Sequence, residues 1–186
     1  MRVIAGKAKG RRLKVPEGPD IRPITDMIKG ALFNTLGQYF DGESFLDLFA
    51  GSGAVGIEAL SRNAKSVVFV EASPIAVKVI RENLTASQLE EGAKVILGDV
   101  FKVLPRLAAD QKVFNIIYID PPFRKTEFYE PVMELVEPLM DFKSLVIIRS
   151  PKLLAMPQQI KGLVRVRANT YGESILNFYK RLNLTT

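Results

Sequence analysis

From residue 44 onward, short apolar runs alternate with stretches in which apolar residues recur at helical spacing. The runs are continuous, which is typical of parallel strands that are covered on both faces. The predicted strands are Phe45–Phe49, Ser66–Glu71, Lys94–Leu97, Val113–Ile119 and Ser144–Ile148. The sequence therefore predicts an α/β fold with a doubly wound, mostly parallel, Rossmann-like sheet, and ligands are expected beyond the carboxyl ends of its strands.

Local signals predict the helices and the two ends of the chain. Ser73 followed by Pro74 marks a helix start, and Thr25 is placed to cap an earlier helix. Segments 2–4 and 12–15 flank a Gly/Lys turn and predict a small N-terminal β-hairpin, followed by a linker over 16–23. Beyond Pro157 the pattern predicts an antiparallel strand pair. The expected apolar stripes are Ile28, Ala31, Leu32 and Leu36 in the first helix, and Ile75, Val79, Ile80 and Leu84 in the later one.

The size and composition narrow the class of protein. The 186 residues predict a single domain over 1–186, with residues 1–16 as a basic hairpin extension. The chain contains no Cys and no His, which excludes thiolate nucleophiles, imidazole bases and metal sites built from cysteine or histidine, and no metal is expected. It has no signal-peptide pattern and no run of about 18 apolar residues, so we expect a cytoplasmic protein without a membrane contact.

The positive charge is concentrated at the N-terminus. The net charge is +6, and residues 1–40 carry eight Lys and Arg against three Asp and Glu. Such a cluster suits a polyanion such as RNA, because each phosphate contact releases counterions. A solvated basic tail is the alternative. The candidate RNA-binding residues are Arg2, Lys7, Lys9, Arg11, Arg12 and Lys14.

A glycine-rich loop follows the first predicted strand. GSGAVG contains Gly51, Gly53 and Gly56 at the G-x-G-x-x-G spacing of dinucleotide-binding loops. Such glycines permit a tight turn and a close approach of the backbone to a ligand, although they also serve strand-to-helix packing alone. Glu71 ends the next strand and is placed to accept hydrogen bonds from two ribose hydroxyls. NAD and S-adenosylmethionine fit these residues equally well.

Two acidic residues favour S-adenosylmethionine over NAD. Asp47 lies four residues before Gly51, where a carboxylate is unfavourable beside a pyrophosphate but favourable beside the amino group of a methionine moiety. Asp99 follows the third strand and is placed to accept from the exocyclic amine of adenine, while Val100 and Phe101 offer apolar contacts to the ring.

The tetrapeptide Asp120-Pro121-Pro122-Phe123 after the fourth strand is the strongest signal in the chain. Consecutive prolines fix a rigid, extended turn whose carbonyls are available as acceptors. Asp120 adds a carboxylate, and Phe123 adds a flat face for stacking. Together they form a clamp for a planar group that carries an NH₂, such as a nucleobase. An ordinary strand-ending turn with Phe123 in the core is the alternative.

These residues resemble the S-adenosylmethionine-dependent methyltransferases that modify exocyclic amines of nucleic-acid bases. The segments RPITD (22–26), ALFNTL (31–36) and YGE (171–173) resemble, within that group, the small bacterial 16S ribosomal RNA guanine-N2 methyltransferases. The resemblance covers nearly the whole chain and departs at Ile24, Met27, Lys29 and Gly30. It implies a methyltransferase that acts on one guanine of ribosomal RNA within a small-subunit particle. It also implies Arg22, Thr25 and Ala72 as cofactor-binding residues.

The chemistry expected of this clamp is displacement of a methyl group by an amine. Asp120 and the Pro121 carbonyl, accepting from the two amine hydrogens, favour a lone pair aimed at the methyl group. Cytosine C5 methylation is excluded because it needs a Cys nucleophile. About two dozen residues separate Asp120 from the fifth strand, too few for a target-recognition domain. Adenine-N6 methylation of RNA or DNA, an NAD-dependent oxidoreductase and a non-catalytic RNA-binding module remain alternatives.

Overall fold

The computed structural model describes residues 1–17 and 23–182. Within these residues, eight strands form one sheet in the order β3-β2-β1-β4-β5-β8-β7-β6. Strands β1 to β5 pair in parallel with one another. The pairs β5–β8, β8–β7 and β7–β6 are antiparallel. The strands are β1 Ser44–Leu48, β2 Ser66–Glu71, β3 Ala93–Leu97, β4 Ile116–Ile119, β5 Leu145–Pro151, β6 Gln159–Ile160, β7 Leu163–Tyr171 and β8 Ser174–Arg181. The predicted doubly wound, mostly parallel sheet with an antiparallel finish is confirmed.

Helices cover both faces of the sheet. They are α1 Asp26–Leu36, α2 Ala54–Ser61, α3 Pro74–Ser87, α4 Val100–Ala109 and α5 Tyr129–Val136, with short 3-10 turns at Thr126–Phe128 and Glu137–Leu139. Two buried apolar clusters result. One joins α1, α2 and α3 to one face, and the other joins α4 and α5 to the opposite face. Burial on both faces explains why the parallel strands are continuously apolar in sequence.

The order of the strands creates a switch point beside β1. The chain runs from β1 outward through β2 to β3 and then returns to place β4 on the other side of β1. The loops after β1 and β4 therefore diverge to opposite faces and leave a crevice between them. Leu48 pairs with Val70 on one side and with Ile119 on the other, so the carboxyl ends of the three strands are level.

Three details differ from the sequence-based predictions. The fourth strand begins at Ile116 rather than Val113, because Asn115 instead accepts hydrogen bonds from Ser44 through its side chain. Helix α3 buries the positions Ala76, Val77, Ile80 and Leu84, whereas Ile75 is 64% exposed. The N-terminal hairpin contains one isolated antiparallel bridge, Arg2 with Arg12, instead of two regular strands.

The first helix begins as expected. The Thr25 hydroxyl accepts a hydrogen bond from the Ile28 amide at 3.2 Å and caps α1. Its buried face consists of Ile28, Lys29, Leu32 and Phe33, so a lysine takes a place in the core that the apolar pattern did not assign to it.

Within the described residues, no helix is long and apolar enough to cross a membrane.

Candidate active site

A cavity of about 430 Å³ opens at the switch point between β1 and β4. Its lining takes in the loops that follow β1, β2, β3 and β4, together with Val15, Pro23 and Ile24 from the N-terminal region. It therefore brings together side chains that are far apart in sequence. The predicted site residues in its wall are Asp47, Gly51, Glu71, Ala72, Asp99, Val100, Asp120, Pro121, Pro122 and Phe123.

Of the predicted cofactor residues that the structure describes, Gly53 and Thr25 are not in that wall. Gly53 precedes α2 with a φ of +74°, and a Cβ there would crowd Ile80 and Ile57, so its role in the structure is conformational and steric. Thr25 caps α1. Arg22 lies outside the described residues. In residues 1–17 and 23–182, no three acidic side chains cluster in a way that could hold a metal ion.

Glu71 fixes the geometry of the glycine loop. One carboxylate oxygen accepts from the Gly51 amide at 2.9 Å, and the other accepts from the Ser73 amide at 2.9 Å. Gly51 has a φ of +56°, a conformation that glycine adopts without a Cβ penalty. Since a carboxylate has about four lone-pair positions, each oxygen retains capacity for a ligand hydroxyl. Glu71 is thus held in place and still faces the cavity.

Asp47 is buried beneath the loop, with 2% of its surface exposed. Its Oδ2 accepts a hydrogen bond of 2.9 Å from the Gly56 amide in the first turn of α2. Burial raises the pKa of Asp47 well above its usual value, and the neighbouring Asp120 and Glu71 raise it further, while the Gly56 hydrogen bond opposes the shift. A cation placed in the cavity next to Asp47 would stabilise its ionised carboxylate and lower the pKa again.

The third glycine of the loop serves packing. A Cβ on Gly56 would lie 2.3 Å from the Phe69 ring, so only glycine allows α2 to approach β2 this closely. The packing interpretation of the glycine pattern is therefore correct for Gly56, whereas Gly51 faces the cavity. The glycine-rich motif therefore lines the cavity through Gly51 and allows close helix–sheet packing through Gly56.

The wall beyond β3 is apolar and aromatic. Asp99 caps α4 by accepting from the Phe101 amide at 2.8 Å, and Val100 is buried behind it. The Phe101 ring contacts the edge of Phe128 at 5.0 Å between centroids, and Phe128 stacks on Phe49 at 6.1 Å. Sequence reasoning missed Phe49 and Phe128. Phe49 directly precedes the loop and was detectable, but Phe128 comes from a turn that no local pattern places here.

The Asp120 carboxylate has two side-chain donors. Its Oδ2 accepts from the Arg149 guanidinium at 2.9 Å and from the Tyr118 hydroxyl at 3.3 Å. Burial raises the pKa of Asp120, while the positive charge of Arg149 and both hydrogen bonds oppose that rise. Asp120 is therefore held by neighbouring side chains in a low-dielectric wall of the cavity.

The rest of the tetrapeptide differs in one respect from the prediction. The Pro122 carbonyl accepts from the Lys125 amide at 2.8 Å, so it is engaged within the following turn instead of being available to a ligand. Phe123 is half-buried, and the Arg149 guanidinium carbon lies 4.9 Å from its ring centroid. Arg149 and Tyr118 were not identified from the sequence, although Arg149 directly follows the fifth predicted strand, as Asp120 follows the fourth.

The basic N-terminal hairpin is docked on α2 rather than solvated as a tail. The Glu58 carboxylate accepts from the Ile4 amide at 2.8 Å and from the Ala5 amide at 3.0 Å, and it pairs with Lys29 and Arg62. All three charged side chains are at most 2% exposed. Burial lowers the pKa of Lys29, against the opposing effect of Glu58.

The backbone of the hairpin fits closely against the end of α2. The Ser61 hydroxyl accepts from the Ala8 amide and donates to the Ala5 carbonyl, at 2.9 and 2.6 Å. A Cβ on Gly6 would lie 1.8 Å from the Ser61 carbonyl oxygen. The six predicted RNA-binding residues all remain exposed, namely Arg2, Lys7, Lys9, Arg11, Arg12 and Lys14. The docking therefore presents their charges in a fixed arrangement.

One side chain links the hairpin to the glycine loop. Asn83 on α3 is 1% exposed, and it accepts from the Lys14 amide and donates to the Lys14 carbonyl at 2.8 and 2.9 Å. It also donates to the Ser52 carbonyl at 2.9 Å. The end of the basic segment is thus tied to the loop that borders the cavity.

Comparison with known proteins identifies the family. Residues 1–180 match the family model described as conserved hypothetical protein 95. Ribosomal RNA small subunit methyltransferase D of Escherichia coli (strain K12) is 37% identical over 184 residues, which is 97% of this chain and 90% of that protein.

Solved structures agree with the fold described above. A hypothetical protein of Thermus thermophilus has a TM-score of 0.83 at 33% identity, covering 96% of this chain and 98% of that one. The structure of SMU.776, described as complexed with SAH, has a TM-score of 0.68 over 83% of this chain and 48% of that one, and at 15% identity it shows the fold alone. The chain therefore belongs to the conserved hypothetical protein 95 family and is a relative of the small-subunit ribosomal RNA methyltransferases, in agreement with the resemblance seen in its sequence.

Proposed function

We propose that this protein is an S-adenosylmethionine-dependent methyltransferase that methylates the exocyclic N2 amine of a guanine in 16S ribosomal RNA. The observation that carries the proposal is the shared cavity. The Gly51 loop, Glu71 and Asp99 line one part of it, and the tetrapeptide Asp120 to Phe123 lines another, so a cofactor and a target base have adjoining places. The name of the Escherichia coli relative supports the same substrate class.

The cavity suits the chemical groups of S-adenosylmethionine. Glu71 would accept from the ribose hydroxyls, and Asp99 would accept from the adenine amine. Val100 and the aromatic wall formed by Phe101 and Phe128 would hold the adenine ring. Asp47 and Ala72 complete the cofactor side, with the Asp47 carboxylate toward the methionine amino group. When bound, this cofactor supplies a methyl group on a positively charged sulfur.

The protein's part in the reaction is to orient a poor nucleophile. The N2 lone pair of guanine is delocalised into the ring, and acceptors for its two hydrogens favour a geometry in which the lone pair is available. Asp120 and the Pro121 carbonyl are those acceptors, and Phe123 supports the base by stacking. Methyl transfer from the bound cofactor would form the nitrogen–carbon bond as the carbon–sulfur bond breaks, and Asp120 or water would take the proton that the amine releases. Positioning and fixed charges supply most of the acceleration.

The hairpin supplies the contact with RNA. The hairpin backbone is hydrogen-bonded to Glu58 of α2 and to Asn83 of α3, and Asn83 also binds the glycine loop at Ser52. Phosphates bound to the exposed cations of the hairpin would therefore have a fixed position relative to the cavity. Docking by shape and charge suits folded RNA in a small-subunit particle. A guanine in a loop is favoured over a paired one, since extrusion from a helix costs energy.

The test is nucleoside mapping. Small-subunit particles and naked 16S RNA from a host that lacks this gene are incubated with the protein and deuterated methyl donor, and the modified nucleosides are identified by mass spectrometry. The proposal predicts N2-methylguanosine at one position, with faster modification of particles than of naked RNA. Label in N6-methyladenosine would support the adenine alternative, and an absence of label in both substrates would overturn methyl transfer to ribosomal RNA.

A further inference from the structure

We propose that Arg149 is a positioning residue of this active site, which holds both the carboxylate and the aromatic ring of the tetrapeptide for the incoming base. This inference rests on the proposed function. Arg149 lies in the wall of the cavity but belongs to β5, outside the tetrapeptide and the glycine loop. Its contacts with Asp120 and Phe123 distinguish it from a residue that merely supports the sheet.

The sheet register brings Arg149 to Asp120. Ile119 pairs with Ile148 in the parallel β4–β5 ladder, so Asp120, directly after the end of β4, lies beside Arg149, which continues β5. Arg149 Nη1 donates to Asp120 Oδ2 at 2.9 Å, with only 5% of the Arg149 side chain exposed. A charged hydrogen bond in such an environment fixes the direction of the carboxylate.

The same guanidinium contacts the Phe123 ring. Its central carbon lies 4.9 Å from the ring centroid, within the range of cation–π contacts. One planar group thus contacts both the first and the last residue of the tetrapeptide. Lysine would keep the charge but lose the planar contact, because its ammonium is a compact point charge on a flexible stem.

The charge of Arg149 also counters the effects that favour protonation of Asp120. The groups facing the Asp120 carboxylate are Tyr118 from β4, Arg149 from β5, Asp47 from β1 and Tyr129 from α5. Of these, only Arg149 carries a positive charge. An amine acceptor must be deprotonated, so loss of Arg149 should raise the pKa of Asp120 and move the onset of activity to higher pH.

The experiment compares Arg149→Met and Arg149→Lys with the wild type in single-turnover methyl transfer, over a range of pH and of particle concentration. Arg149→Met should lower the rate at neutral pH about ten- to a hundredfold and move the midpoint of its rise to higher pH. Arg149→Lys should keep the wild-type midpoint but require more RNA particle for half-saturation. Arg165→Met is the matched control, because Arg165 donates hydrogen bonds to Asn177 of the same sheet and to the Met156 carbonyl but does not line the cavity.

Cofactor titration and thermal unfolding establish that each variant is folded. A folded Arg149→Met protein with the wild-type rate and midpoint would overturn the inference. If that variant does not fold, the lysine variant decides, and an unchanged half-saturation would overturn it. Failure of the wild type itself to transfer methyl to the particles would instead refute the proposed function, so the two failures are distinguishable.

Discussion

Glu71 and Gly51 are joined by a hydrogen bond of 2.9 Å, in which the carboxylate at the end of β2 accepts from the backbone amide of the loop after β1. The second oxygen of Glu71 accepts from Ser73. The residue proposed to hold the ribose is therefore also the residue that sets the position of the glycine loop. A substitution of Glu71 should therefore weaken cofactor binding in two ways, by removing the acceptor for the ribose and by displacing the glycine loop.

Glu71→Ala and Glu71→Gln should both weaken S-adenosylmethionine binding about ten- to a hundredfold, the effect of losing one charged hydrogen-bonding site. The glutamine amide would place an N–H opposite either the Gly51 or the Ser73 N–H, so it should not restore affinity. Isothermal titration calorimetry measures the effect, with Glu90→Gln, an exposed change outside the cavity, as the control. Wild-type affinity in a folded Glu71→Ala protein would contradict this assignment.

Asp47→Asn should stabilise the protein without cofactor at neutral pH and weaken cofactor binding. The pKa of Asp47 is raised in the folded state, chiefly by burial, so ionisation of its carboxyl opposes folding. The penalty is absent below about pH 4, where the carboxyl is protonated in both states, and it grows as pH rises toward the folded-state pKa.

Chemical denaturation of the wild type and Asp47→Asn at several pH values measures this difference. The gain for the variant should be on the order of 1 kcal/mol or more at neutral pH, since one pKa unit corresponds to about 1.4 kcal/mol. It should disappear in acid. A variant that is less stable than the wild type at every pH would show that the Asp47 hydrogen bond to Gly56 outweighs the cost of its charge.

Replacement of Lys7, Lys9 and Arg11 by Gln should reduce the salt dependence of RNA binding while leaving cofactor affinity unchanged. Each lost phosphate contact lowers the slope of log K against log salt by about 0.7 to 0.9. The matched control replaces Lys94, Lys112 and Lys143, three exposed lysines near the amino ends of the parallel strands, opposite the cavity. Equal slopes for the two triple variants would remove the hairpin from the proposed RNA-binding surface.

Glu58→Gln should destabilise the protein and loosen the hairpin. It would leave Lys29 and Arg62 buried beside a neutral side chain, and breaking a buried ion pair typically costs about 3–5 kcal/mol. Hydrogen exchange at the Ile4 and Ala5 amides, which donate to Glu58, reports the loosening directly. Unchanged protection of these two amides would show that Glu58 does not hold the hairpin.

The parts of this protein that were predictable from its sequence are those fixed by local pattern. Apolar runs predicted the parallel strands, and Gly51, Glu71, Asp99 and Asp120 were located because each lies at or just after the end of such a run. Since the carboxyl ends of parallel strands meet at one edge, their convergence followed from the fold class. Arg149 directly follows the apolar run 145–148, so the same rule also places it at this edge of the sheet.

Other features depend on contacts between distant segments and have no local signal. The burial of Lys29 requires Glu58, which lies on another helix, and neither residue has an apolar pattern that indicates a pair. Phe128 reaches Phe49 and Phe101 through a short 3-10 turn. Asn83 joins Lys14 to Ser52 by using its whole amide group. In each case the tertiary partner, rather than the local sequence, determines the role of the side chain.

In the proposed mechanism, Asp120 acts on the target amine. The most direct test is the single-turnover rate of methyl transfer by Asp120→Ala at saturating small-subunit particles, with cofactor affinity measured in parallel. We expect transfer to be abolished while S-adenosylmethionine binding is retained, because Asp120 is proposed to contact the base rather than the cofactor. A near wild-type rate at saturation would contradict it and reduce the tetrapeptide to a structural turn.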